Sequence, residues 1–341
     1  MGTTFRLLLI FAVFFNACTS TKDLNRDSGR VRKSSLANPV LDSDFPDPTV
    51  IRAGGKYYAY ATQGRVDGKM LNIQVASSTD LQTWKIEGDA LPQAPSWAKT
   101  NFWAPHVLYD EILKKYVMFY SGESNADDTG KCLGVAYADK PEGPFVDKGT
   151  PLLCGEGFVN IDPMAFKDPE TGKNLLYWGS GFKPIKVQEL TDNWSAFKPG
   201  TVAMDVVWPG KDKSYNALIE GAWVDYHDGT YYMYYSGDNC CGDKANYAVM
   251  VARSDNAFGP FMRLGEVNGN GSSVILEKDS IWLAPGHNSI VKDGKGRRLM
   301  VYHAIKRSNK KLEVAIQGDR DDRRVMCISP IRYVNGWPVL E

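Results

Sequence analysis

One unit recurs five times along this chain, and that repetition limits the possible folds more than any other feature of the sequence. Each copy is a short β-rich run behind a Gly or Lys turn: GKYYAYATQG at 55–64, KKYVMFYSGE at 114–123, GKNLLYWGSG at 172–181, GTYYMYYSGD at 229–238 and RRLMVYHAIK at 297–306. With Tyr57, Tyr116, Leu175, Tyr231 and Leu299 taken as equivalent, the steps are 59, 59, 56 and 68 residues. Self-similarity at a long, regular period marks an array or a propeller. Aromatic and β-branched residues between turn signals read as strands, and three copies end in Ser-Gly. Further strand-like runs follow at 71–84, 131–145, 185–194 and 246–261, each an apolar stretch closed by an Asp-containing turn and an aromatic residue. Three to four strands per unit is the content of a propeller blade. No long stretch has the 3.6-residue period of an amphipathic helix. The expected fold is all-β, a five-bladed β-propeller over residues 39–341.

The segment before each copy carries the chemistry. These segments are FPDPTVI (45–51), WAPHVLY (103–109), NIDPMAF (160–166), IEGAWVDY (219–226) and LAPGHNSIV (283–291). In each, an apolar strand is expected just after a polar residue: Asp47, His106, Asp162, Glu220 and His287. They precede the repeat markers by 10, 10, 13, 11 and 12 residues. If these are the innermost strands, the five side chains meet at one end of the central channel, as three carboxylates and two imidazoles. Any one Asp-Pro reads equally well as a turn and any one His as a satisfied core residue. The argument rests on all five falling in register. Two carboxylates facing one cavity suit acid and base work on an acetal, one protonated to donate to the leaving oxygen and the other ionised to activate water. The GxSxG, GxGxxG and P-loop patterns are absent, which leaves serine-hydrolase and nucleotide chemistry without a foothold.

The N-terminus is of a different kind. Residues 1–18 combine Arg6, an apolar run from Leu7 to Phe15, and Ala17 before Cys18. The run is too short to span a bilayer and reads as a signal peptide. The end of the run resembles a bacterial lipobox, so Cys18 is expected to carry a lipid that holds the exported protein to a membrane; the plainer alternative is cleavage nearby with Cys18 left as a thiol. Residues 19–38 are polar and read as a tether that cannot bury enough surface to order itself. The 40 basic and 40 acidic residues cancel, and no clustered positive charge marks a nucleic-acid site. The runs 306–311 and 319–324 read as solvated loops. Five cysteines follow Cys18, with no zinc spacing, and pairing cannot be assigned from sequence. The adjacent Cys240 and Cys241 have no explanation at this level.

The sequence resembles glycoside hydrolase family 43, the arabinanase, arabinofuranosidase and β-xylosidase group of five-bladed propellers. The resemblance runs from Asn38 to Glu341 and is carried by NPVLDSDFPDPTVIR, NFWAPHV, NIDPMAF, IEGAW followed by GTYYMYYS, APGHNSIV and IRYVNGWP, in the family's order. It implies that Asp47 is the general base, Glu220 the general acid, and Asp162 the group that orients the acid and tunes its pKa. It further implies inversion, with acid and base roughly 6.5–9.5 Å apart, and a hydrated calcium ion near His287, with water supplying most of its shell because a lone imidazole suits a hard cation poorly. The expected reaction is hydrolysis of α-L-arabinofuranosyl linkages in plant polysaccharide. The alternatives are a β-xylosidase or xylanase on the same scaffold and a non-catalytic carbohydrate-binding lipoprotein. A phosphorylase is disfavoured because no Arg or Lys adjoins a ring position in sequence. His106 and the Gly-Ala after Glu220 depart from the family pattern. Phe45, Trp103, Trp223 and Trp282 lie near the inner strand starts; Phe45, Trp103, Trp223 and His106 are expected to contact substrate, with Trp103 as the stacking platform, and for each aromatic the equal alternative is a place in the propeller core.

Overall fold

The computed structural model describes residues 1–2, 36–126, 129–210, 215–309 and 323–341. The expected signal peptide with Cys18 and nearly all of the expected tether lie outside the described residues. The rest forms five antiparallel sheets in chain order, the blades of a propeller. The innermost strands are Thr49–Ala53, Trp103–Asp110, Met164–Lys167, Ile219–His227 and Trp282–Lys292. Each meets the next around a ring, and the fifth returns to the first. The recurring runs are the second strands, Lys56–Ala61, Lys115–Glu123, Asn174–Trp178, Thr230–Gly237 and Arg298–Lys306.

A second strand lies mid-blade with another blade on each face, so both of its faces must be apolar. That is why the run lacks alternation of apolar and polar residues. Successive side chains still point to opposite sides. In blade 3, Leu175 and Tyr177 pack with blade 4, whereas Leu176 and Trp178 pack with blade 2. The same division places an apolar cluster at each of the five junctions between blades. Phe45 belongs to the cluster between blades 5 and 1 and is 0% exposed. It is a core residue and cannot contact substrate, contrary to expectation.

The ring is closed by the start of the propeller. Asn38 donates through Nδ2 to the carbonyl of Ile328 and accepts its N–H, at 3.0 and 2.8 Å. The Val40 N–H donates to the carbonyl of Met326 at 2.9 Å. Both partners lie on the third strand of blade 5, Arg324–Val334, which the repeat pattern does not reveal. A hairpin, Gly64–Val66 with Lys69–Leu71, stands between the second and third strands of blade 1 and carries Arg65 and Met70 to the channel mouth.

Candidate active site

At the channel mouth the inner strands are not straight. Asp47 and Asp162 take left-handed φ values of 57° and 60°, as do Ala104, Gly221 and His287 at 48°, 62° and 46°. The ladders shift register between Trp103 and His106, Glu220 and Trp223, and Gly286 and Ser289. Such bulges bend a strand and re-aim a side chain, here toward the axis. The left-handed residues and these bulges together leave Asp47, Asp162, Glu220 and His287 lining one cavity of about 1020 Å³, with Trp103.

His106 is not with them. Its 10-residue spacing from the marker matches that of Asp47 in sequence, but the intervening hairpins differ. Ala53 pairs with Lys56 around a two-residue turn, whereas Asp110 pairs with Lys115 around a four-residue turn. The extra turn residues put His106 two positions further along its strand, level with Thr49, and the residue level with Asp47 is Ala104. His106 is buried below the site, accepts the Ala165 N–H at 3.4 Å through Nδ1, and lies 5.2 Å from the Trp223 ring. Burial pushes its pKa down to about 3, so it is neutral. Neither His106 nor Trp223 lines the cavity. The expected substrate contacts from Phe45, His106 and Trp223 are therefore withdrawn. Trp103 does line it, and one face of its ring is covered by the Lys131 ammonium, 3.7 Å from the centroid.

A second ring supports the first. Counting five residues on from the markers Tyr57, Tyr116, Leu175 and Tyr231 gives Thr62, Ser121, Ser180 and Ser236, and four on from Leu299 gives His303. Each holds the inner strand of the next blade. Thr62 accepts the Ala104 N–H at 2.8 Å, Ser121 the Asp162 N–H at 3.1 Å, and Ser236 the His287 N–H at 2.8 Å. Ser180 donates to Glu220 Oε2 at 2.5 Å, and His303 accepts the Asp47 N–H through Nδ1 at 3.1 Å. The repeated Ser-Gly noted above as a turn signal is the trace of this ring in the sequence.

Asp47 sits beside the Arg324 guanidinium, the Thr62 hydroxyl and two imidazoles. Its Oδ2 accepts from Thr62 at 2.5 Å, and its Oδ1 lies 3.3 Å from Arg324 Nη1, 3.2 Å from His303 Nδ1 and 3.4 Å from His287 Nδ1. Burial alone would raise its pKa. The Arg324 guanidinium and the two imidazoles outweigh burial and hold the carboxyl well below the usual range, ionised. Glu220 is placed oppositely. Burial raises its pKa, and the Ser180 hydroxyl and the Tyr247 hydroxyl, which donates to Oε1 at 2.8 Å, only partly offset that. Asp162 accepts the Gly221 N–H at 2.9 Å through Oδ2 and is raised well above its ordinary value by burial and by the charges of Glu220 and Asp47. The surroundings thus favour a proton on the Asp162–Glu220 pair and an ionised Asp47.

Arg324 is the residue that the sequence reading most plainly missed. It falls at the end of a mixed-charge run read as a solvated loop, yet only 9% of it is exposed and it lines the cavity. The argument against phosphorolysis from sequence adjacency fails with it, since this cation reaches Asp47 from 277 residues away. As for calcium, no three His, Cys, Asp or Glu side chains gather as a ligand set among the described residues, and His287 directs Nδ1 at Asp47 and Asp162, 3.4 and 3.9 Å away. These residues do not form an inner coordination shell for a cation.

The arrangement suits acid–base cleavage of an acetal, and comparison with known proteins agrees. A β-xylosidase of Xylanibacter ruminicola is 29% identical, the alignment covering 80% of this chain and 92% of the relative. An arabinan endo-1,5-α-L-arabinosidase B of Emericella nidulans is 28% identical over 86% of this chain and 82% of its own. The crystal structure of a thermostable family-43 glycoside hydrolase superposes with a TM-score of 0.71 at 25% identity, covering 90% of this chain and 96% of that one. Residues 36–338 match the profile of glycosyl hydrolases family 43. With the match spanning all five blades and the ionised and protonated carboxylates in one cavity, the chain belongs to glycosyl hydrolases family 43.

Proposed function

We propose that this enzyme hydrolyses α-L-arabinofuranosyl linkages of plant cell-wall polysaccharide with inversion. The observation that carries the reading is that the surroundings push the pKa values of Asp47 and Glu220 in opposite directions within one cavity. Asp47, ionised, takes a proton from the water that attacks the anomeric carbon. Glu220, protonated, gives its proton to the departing oxygen as the glycosidic bond breaks. Asp162 orients the acid by holding the Gly221 N–H next to Glu220, and when it is ionised its like charge favours the proton on Glu220. Exchange with solvent then restores both carboxyls.

A panel of chromogenic arabinofuranosides and xylosides, with arabinan and xylan, tests the substrate. Release of arabinose is expected; release of xylose alone would replace the reading with a β-xylosidase, which the Xylanibacter ruminicola relative favours. Glu220→Gln is expected to lower kcat about 10²–10⁴-fold, the usual contribution of a general acid, while sugar binding is retained. Unchanged kcat would refute the assigned acid. A wild type that binds sugar without turnover would make the protein a carbohydrate-binding lipoprotein instead.

Export with a lipid on Cys18 belongs to the same reading. Beyond the apolar run, export is supported by bonded cysteine pairs at Cys132–Cys154 and Cys240–Cys241, which suit an oxidising compartment. Metabolic labelling with a radioactive fatty acid should mark the wild type and leave Cys18→Ser unlabelled; equal labelling of both would remove the anchor.

A further inference from the structure

The adjacent Cys240 and Cys241, unexplained in the sequence, are bonded to each other and line the catalytic cavity. A disulfide stabilises a fold mainly by closing a long loop in the unfolded chain. A bond between neighbouring residues closes no such loop, so tethering the fold does not explain the pair. Its surroundings point to the cavity instead. Cys240 packs against the small apolar cluster of Tyr247, Ala284 and Ile305, and the Tyr247 hydroxyl donates to Glu220 Oε1. Cys240 Sγ also lies 3.8 Å from Nη1 of Arg324, whose guanidinium holds Asp47. The loop that carries the pair is pinned at both ends. The Asn246 N–H donates to the Asn239 carbonyl at 2.9 Å, and Asn246 Nδ2 donates to Asp238 at 2.8 Å.

Bonding the two sulfurs removes both thiol donors and leaves a flat, apolar surface. The neighbouring cavity wall is polar, with Asp238, Asn239, Glu220 and Arg324. A sugar ring has the same two characters, hydroxyls at its edge and C–H groups on its faces. Trp103 offers an apolar surface from blade 2, which is not adjacent to blade 4, where the disulfide sits.

We propose that the Cys240–Cys241 disulfide is a specificity-determining wall of the cavity, packing on the C–H face of the pentose bound beside Glu220. The proposal rests on the pentosidase reading above. The experiment uses the full chain. Alkylation and peptide mass measurement without reductant should find Cys240 and Cys241 bonded, and free thiols there would overturn the proposal. Michaelis parameters on aryl arabinofuranosides and xylosides are then compared for the wild type and the C240S/C241S variant. The expected result is a KM raised about tenfold, the loss that goes with roughly 50 Å² of apolar contact, with kcat within about twofold. An unchanged KM overturns the proposal, as does a fall in kcat at constant KM, which would assign the pair to positioning Arg324 and Tyr247. If the variant does not fold, mild reduction of the wild type should raise KM by the same factor, and the variant C132A/C154A treated alike separates any contribution of Cys132–Cys154. Calorimetric binding of L-arabinose and D-xylose needs no turnover. A wild type that binds a pentose but cleaves no glycoside defeats the function proposed above, and this proposal then stands or falls on whether opening the disulfide weakens that binding. A wild type that binds no pentose overturns it.

Discussion

At the scale of single residues, the site depends on two carboxyls pushed in opposite directions, and the pH dependence follows from the signs. Activity needs Asp47 ionised and Glu220 protonated. The acid limb of the kcat/KM profile should therefore lie below the ordinary carboxylate range and the alkaline limb above it. Replacing Arg324 by Gln removes the strongest of the charges that lower Asp47, so the acid limb should move to higher pH; a limb that stays in place would separate Arg324 from the base. Glu220 has a further consequence for stability. Its folded pKa lies above the unfolded value of about 4.3, so between those values the folded state holds a proton that the unfolded chain has released. Stability from this group is thus present at low pH and lost as pH rises through the raised folded value. Glu220→Gln should flatten that decline, with a melting temperature above wild type at alkaline pH and little difference near pH 4. Parallel melting curves across the range would contradict the shift.

At the scale of elements, left-handed residues and bulges at the starts of the inner strands aim the carboxylates, and at one of them the backbone leaves no room for a larger residue. Gly286 is the clearest case, since a Cβ at this position would sit 2.0 Å from Cδ1 of Tyr247. The Tyr247 ring is fully buried and stacks on His303, 5.7 Å between centroids, so it cannot swing away freely. Gly286→Ala should displace the Tyr247 hydroxyl from Glu220, lower kcat and cost about 1–3 kcal/mol of stability, as overpacking usually does. A variant with wild-type kcat and melting temperature would show that the close approach has no role. Hairpin turns between inner and second strands have the converse effect. They vary in length at no cost to the blade, and for that reason equal spacing in sequence placed His106 where Ala104 stands.

At the scale of the whole molecule, a propeller needs its last blade joined to its first, and here Asn38 and Val40 make that join on blade 5. Asn38→Ala removes two hydrogen bonds remote from the cavity and should cost about 2 kcal/mol without changing kcat. Calorimetry showing an unaltered melting temperature would place the closure elsewhere. The five junction clusters also mean that each blade is buried by two neighbours, so no blade has a complete core alone.

The repeat alone determined the number of blades, the second strand of every blade and the end of the channel where Asp47, Asp162, Glu220 and His287 gather, because these depend on local periodicity and on a unit that cannot bury its faces without neighbours. The tertiary structure decided which groups act on those carboxyls. Arg324 and His303 reach Asp47 from blade 5, and Tyr247 reaches Glu220 from the loop before the third strand of blade 4, pairings between side chains that no local pattern encodes. Phe45 and His106 had the right residue types in the right segments and were removed from the site by burial at a blade junction and by two extra residues in a turn. The directions in which the carboxyls are pushed arise at the same level, since a carboxyl's pKa is set by the charges and donors around it in space, and closing the ring brings those groups together from opposite ends of the chain.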